Sequence, residues 1–186
     1  MKKELKLHIP FLVAFFLLIS VYKTVNAPSF AGSWFDLDHL IFWLGGLIGI
    51  LLIYIDHFVY AFFLNTSESV SQQAAGMANN KNYGKALEIL LKGHSQKDRL
   101  IFHSALFQVV FIVFAFFVLT STGSLLGRGI VLGMLSHLLV DMTQDLSTEK
   151  NIDGWFVTSP FSVGRDKQVW YVGIQAVGLV ALALFF

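Results

Sequence analysis

Asp56 and His57, His103, and the pair His137 and Asp141 are the residues whose chemistry most needs explaining, because each stands inside or at the mouth of a long apolar run. Asp56 and His57 lie within Leu40 to Leu64. His103 is near the start of Ile101 to Ser121, and His137 and Asp141 lie within Gly129 to Leu146. An ionisable group at membrane depth costs about 3 kcal/mol or more unless it is paired, hydrated or bound to a metal. Neutral imidazole together with carboxylate is the ligand chemistry of Zn, Mn or Fe(II). His137, Asp141 and Asp145 follow one another at intervals of four, which puts them on one face of a helix, a turn apart. Three His and two or three Asp suffice for a closed structural site, an open catalytic site or a two-metal site. Any one of them alone fits a helix–helix hydrogen bond equally well. Five at matching depth on three helices favour a shared divalent metal, with Zn ahead of Mn or Fe.

The elements that must position them are membrane helices. The chain has 186 residues, 55% hydrophobic and 13% charged, with mean hydropathy +0.67. A soluble domain carries about 25% charged residues, so this is a membrane composition. About 20 apolar residues cross the hydrocarbon core. Ile9–Val25, Leu40–Leu64, Ile101–Ser121, Gly129–Leu146 and Val169–Phe186 meet or approach that length. The fold expected is therefore all-α, a single polytopic bundle of about five transmembrane helices over residues 1–186. The fourth segment is the least apolar, as suits a helix inside the bundle. Residues 65–98 form an insertion in which Ala86, Leu87, Leu90 and Leu91 mark a short amphipathic helix. With the N-terminus in the cytoplasm, eleven Lys and Arg lie inside and only Lys23 and Arg128 outside, a positive-inside bias expected of a bacterial inner-membrane protein. That orientation brings all five polar residues toward the cytoplasmic side. Lys2, Lys3 and Lys6 precede the first segment, and Val25-Asn26-Ala27 resembles a cleavage site. Pro28 directly after it favours an uncleaved anchor.

Other polar residues read differently. Asp36, Asp38 and His39 stand at the outer end of the second helix, where Asp is an ordinary cap. His39 and His57 are 18 residues apart, about 27 Å of helix, so both cannot serve one site. His8 and His94 lack ligand spacing. Trp34, Trp43, Trp155 and Trp170 suit interface belts, and Gly45, Gly46 and Gly49 suit close helix packing. Ser104 follows His103 and Ser136 precedes His137, but helix neighbours point about 100° apart, which disfavours a serine nucleophile. There are no cysteines and no basic stripe of the kind that binds nucleic acid.

At these residues the chain resembles a family of bacterial inner-membrane proteins described as metal-dependent hydrolases, the YdjM-like group, some of them LexA-regulated. That family carries D-x-D-H at the end of a membrane helix, then R-G-x-T-H-S, then S-H-x-x-x-D, then a segment rich in Trp, Pro and Phe. Here Ile55-Asp56-His57 matches the first, Arg99 to Ser104 the second, Leu135 to Asp141 the third, and Gly154 to Phe161 the last. S-H-x-x-x-D is the most specific of them, and the similarity runs from about Leu40 to Phe161. Tyr54 stands where the first Asp of D-x-D-H belongs, and Leu100 and Phe102 replace the Gly and Thr of the second motif. A second alignment places Asp36, Asp38 and His39 on D-x-D-H, which restores both carboxylates but puts them across the membrane from the rest.

The resemblance implies a hydrolase; the expected activity is on a phosphoester or similar bond, and the depth of the site alone suggests a lipid or membrane-proximal substrate. His57, His103, His137 and Asp141 would hold the metal, with Asp56 a further ligand or the general base. Arg99 would attract an anionic head group, with Ser104 and Asp145 in support. The rival readings are a proton or metal-ion pathway, which needs an oligomer of so small a bundle, and a non-catalytic scaffold stapled by a closed metal site.

Overall fold

The computed structural model describes residues 2–26, 37–92, 100–121, 123–159 and 163–185. Among them every regular element is helical. The long helices are α1 (Lys2–Asn26), α2 (Leu37–Val59), α5 (Ala105–Ser121), α6 (Leu125–Thr148) and α7 (Arg165–Phe185). Two short helices, α3 (Ser69–Asn79) and α4 (Tyr83–Lys92), lie between α2 and α5. A π-helical turn over Tyr60–Leu64 continues α2, and a 3-10 turn over Asp153–Phe156 precedes α7. Four helices are long and apolar enough to cross a membrane: α1, α2 with its π turn, α6 and α7. The protein is a multi-pass helical membrane bundle. The third expected segment, Ile101–Ser121, yields a shorter helix, because Ile101–Ser104 form a turn and α5 begins only at Ala105.

Helix α6 is the axis of the bundle. Of its most apolar stretch 72% is buried, against 17–28% for the other three spans. This is why its sequence is the least lipid-like: it meets protein on every side. Its closest neighbour is α2, which runs parallel to it. A Cβ on Gly45 would come within 2.3 Å of the Leu126 carbonyl oxygen, and one on Gly49 within 2.2 Å of that of Ile130. From the other side, a Cβ on Gly129 would lie 2.2 Å from the Phe42 oxygen, and one on Gly133 2.3 Å from the Gly46 oxygen. Two glycine pairs spaced by four therefore face each other and let the backbones touch, as in small-residue membrane interfaces. The sequence marked this face on α2 but not its partner on α6.

Helix α1 runs antiparallel to α2 and holds its N-terminal end. Thr24 Oγ1 meets His39 Nε2 at 3.0 Å, Trp43 Nε1 donates to Ser20 Oγ at 3.0 Å, and Phe16 packs on Phe42 and Trp43. On the other flank, α5 and α7 close over α6. Tyr171 donates to Gln108 Oε1 at 2.7 Å. Gln168, fully buried, accepts from the Ile152 amide and donates to Asp153 and to the Val163 carbonyl. One side chain thus ties down the segment between α6 and α7.

The insertion is two packed helices. Ala61, Ala74 and Leu90 make a small core with Phe62, Val70 and Ile89. The expected amphipathic helix is α4, but Leu87 is exposed and Ile89 takes its place beside Ala86 and Leu90.

Candidate functional site

The polar residues of α2 and α6 and of the turn before α5 converge at one end of the bundle. Asp56 is in the last turn of α2, and its carboxylate reaches across to the chain entering α5. Oδ1 accepts from the Ile101 amide at 3.0 Å, and Oδ2 accepts from the Phe102 amide at 2.7 Å. These bonds pin the turn and so explain why α5 starts late. Ser104 then caps the helix, accepting from the Phe107 amide at 3.2 Å while its hydroxyl donates to the Ile101 carbonyl. Ser104→Ala removes this cap and is expected to lower stability by about 1 kcal/mol, read as a small drop in Tm of the detergent-solubilised protein.

Pinned in this way, His103 is buried between two carboxylates. Its Nδ1 is 3.3 Å from Asp56 Oδ2, and its Nε2 is 3.0 Å from Asp141 Oδ2. The same Asp141 oxygen lies 3.3 Å from His137 Nε2, one turn back on α6. Asp141 Oδ2 is thus the hub of the cluster, shared by two imidazoles, with Asp56 behind one of them. Asp56, His103 and His137 are each 2% exposed, and Asp141 is the most open at 9%. Tyr54 presents its ring edge-on to His137, with centroids 5.3 Å apart.

His57 is only partly buried, and its ring centroid is 5.8 Å from that of His103. Asp56 and His57 are neighbours on a helix, so they point in different directions, and it is Asp56 that faces the cluster. Asp145 accepts from Trp155 Nε1 at 3.0 Å, and the Trp155 ring packs on His103 at 5.2 Å. Trp155 is therefore a buried wall of the site and not part of an interface belt. Trp170, largely exposed, does fit a belt. A cavity of about 160 Å³ adjoins the site, lined by Asp145, Glu149, Asn151, Asp153 and Trp155.

The remaining candidates fall elsewhere. His39 binds Thr24 at the opposite end of α2, and Asp38 lies in the first turn of that helix. The second alignment of D-x-D-H is thereby separated from His103 by the length of α2. Arg99 and Asp36 lie outside the described residues, as do Trp34 and His94. Among the described residues, no three His, Asp or Glu side chains are arranged as a ready metal cage; direct contacts hold the cluster together. The sequence missed Trp155 as a site residue, though the Trp-rich trailing segment of the resemblance was the available signal. Compared with protein-family models, with curated proteins and with solved structures, the chain matches none.

Proposed function

We propose that the protein is a membrane-embedded, metal-dependent hydrolase acting on a phosphoester or similar bond of a lipid or membrane-proximal substrate, from the cytoplasmic side of a bacterial inner membrane. The observation that carries this reading is the sharing of Asp141 Oδ2 between His103 Nε2 and His137 Nε2. Two imidazoles and one carboxylate are a donor set that leaves coordination positions open. Ligands at about 2.0–2.2 Å from one ion stand about 3.0–3.5 Å from each other; the two contacts to Asp141, at 3.0 and 3.3 Å, fall in that range but are direct contacts, which a bound ion would replace.

A divalent ion, once bound, supplies a Lewis acid and acidifies water. The chain supplies the rest. Asp56 fixes the orientation of His103 from behind, as a carboxylate does in many histidine–metal sites, and its bonds to two amides suit that role better than a general base. Trp155 excludes water from the His103 face and holds Asp145 in place. His57 stands at the margin, and Arg99 remains the candidate for attracting an anionic group.

The proton-pathway reading is less well supported. Between His39 and Tyr54 the buried side of α2 carries Phe42, Gly45, Gly46, Gly49 and Ile53, with no ionisable group to carry charge across. The test is metal content of the purified protein, wild type beside His103→Ala, with Asp38→Ala as control. Near-stoichiometric Zn, Mn or Fe, lost in His103→Ala and kept in Asp38→Ala, is the expected result. No metal in the wild type after reconstitution would sink the hydrolase reading.

A further inference from the structure

Helix α1 meets α2 through Phe16, Ser20 and Thr24 against Phe42, Trp43 and His39, toward the end of α2 away from the site. Between them lies a groove of about 220 Å³, lined among others by Val13, Phe16, Gly46, Leu47, Ile50 and Tyr54. One end is stopped by Phe16, whose ring sits against Gly46 so tightly that a Cβ there would fall 2.3 Å from it. The other end is Tyr54, which lines the groove and also meets His137. Eight residues of helix separate Gly46 from Tyr54, about 12 Å, close to the depth of one leaflet of a hydrocarbon core about 30 Å thick. The groove is smaller than the roughly 300–1,000 Å³ of a drug-sized pocket, which suits a slender chain.

We propose that this groove holds one acyl chain of a membrane lipid, tail toward Phe16, with the lipid's polar linkage brought past Tyr54 to His137 and Asp141. Three observations carry the assignment. The lining is apolar and borders two helices that span the membrane, so the surrounding solvent is itself acyl chain. A larger apolar groove of about 510 Å³ between α1, α6 and α7 reaches Leu139, Val140 and Thr143 but neither His137 nor Asp141, so of these two apolar grooves it is the α1–α2 one that leads to the site. Among the described residues, the cavity beside Asp145 is lined by the carboxylates of Asp145, Glu149 and Asp153 and by no basic side chain, which disfavours an anionic phosphoester arriving by that route. Tyr54, the departure from D-x-D-H, then forms the apolar threshold between the bilayer and the polar cluster. The binding of the chain stands apart from the hydrolase reading; that its head is a substrate rests on it.

The test is photolabelling of the full-length protein in phosphatidylethanolamine and phosphatidylglycerol nanodiscs, using a phospholipid with a diazirine midway along one acyl chain. Labelled peptides are mapped by mass spectrometry. Labelling concentrated on residues 9–16 and 43–54 is expected, and Ile50→Trp, which fills the groove, should lower it about tenfold. Labelling spread evenly over all lipid-facing helices of the wild type would overturn the proposal whether or not the variant folds. Cross-links joining two copies of the chain across this groove would also overturn it. Concentrated labelling without metal or turnover would fell the hydrolase reading and leave the groove standing. Hydrolysis of a soluble phosphoester with evenly spread labelling would do the reverse.

Discussion

Asp141→Asn is expected, on the proposed reading of the site, to abolish metal binding and, with it, hydrolysis. Asn keeps the size of the side chain but replaces one carboxylate oxygen with an amide nitrogen, which has no lone pair for a cation. Whichever way the amide turns, the carboxylate that both His103 Nε2 and His137 Nε2 now face is gone. Metal affinity should fall by more than about 100-fold, beyond the 10–100-fold that follows loss of a group behind a ligand. Asp56→Asn tests that contrast. It touches His103 from behind and should cost about 10–100-fold. Metal titration of both variants, with circular dichroism to confirm helix content, measures the difference. Equal losses would show that Asp141 is no nearer the metal than Asp56 is. No loss in either would remove the site from the account altogether.

Gly133→Leu is expected to cost about 3 kcal/mol or more and to lower Tm steeply. The first added carbon would already stand 2.3 Å from the Gly46 carbonyl oxygen and 2.9 Å from the Gly46 Cα, both backbone atoms that cannot swing aside. Helices α2 and α6 must then separate. Gly178→Leu is the matched control: nothing lies within 4 Å of its added carbon, so its effect should stay within about 0.5 kcal/mol. The same separation pulls Asp56 and Asp141 apart, since one rides on each helix. If the cluster binds metal as proposed, Gly133→Leu should therefore weaken that binding as well as stability, although it touches none of the cluster's side chains. If thermal unfolding of the two variants were indistinguishable, the α2–α6 contact would not be what holds the bundle together.

Much of this was readable before any coordinates. Apolar runs marked the membrane helices, because hydrocarbon imposes a length that composition cannot hide. The interval of four between His137 and Asp141 placed both on one face, and the structure brings them within 3.3 Å. Asp56 and His103 were read as neighbours in depth, and they are neighbours in space. What could not be read depends on contacts between residues far apart in the chain. The apolar run at Ile101 gives no hint that its first four residues are not helix; that is decided by a carboxylate 45 residues earlier capturing the Ile101 amide. Trp155 looked like any interfacial tryptophan until Asp145 and His103 supplied its partners. The glycines of α6 were legible as residues, but which helix they admit is a matter of pairing, and pairing has no signature in a single helix.

The cluster is assembled from pieces made at different times. Asp56 precedes His103 by 47 residues, and His103 precedes Asp141 by 38. At roughly 5–20 residues per second, ribosomal synthesis separates the first carboxylate from the last by about 4 to 17 seconds. For about the first half of that interval α2 waits in the membrane with Asp56 lacking its imidazole, and for most of it with its glycine face lacking a partner. Biogenesis, not the finished bundle, is thus when this chain most needs shelter.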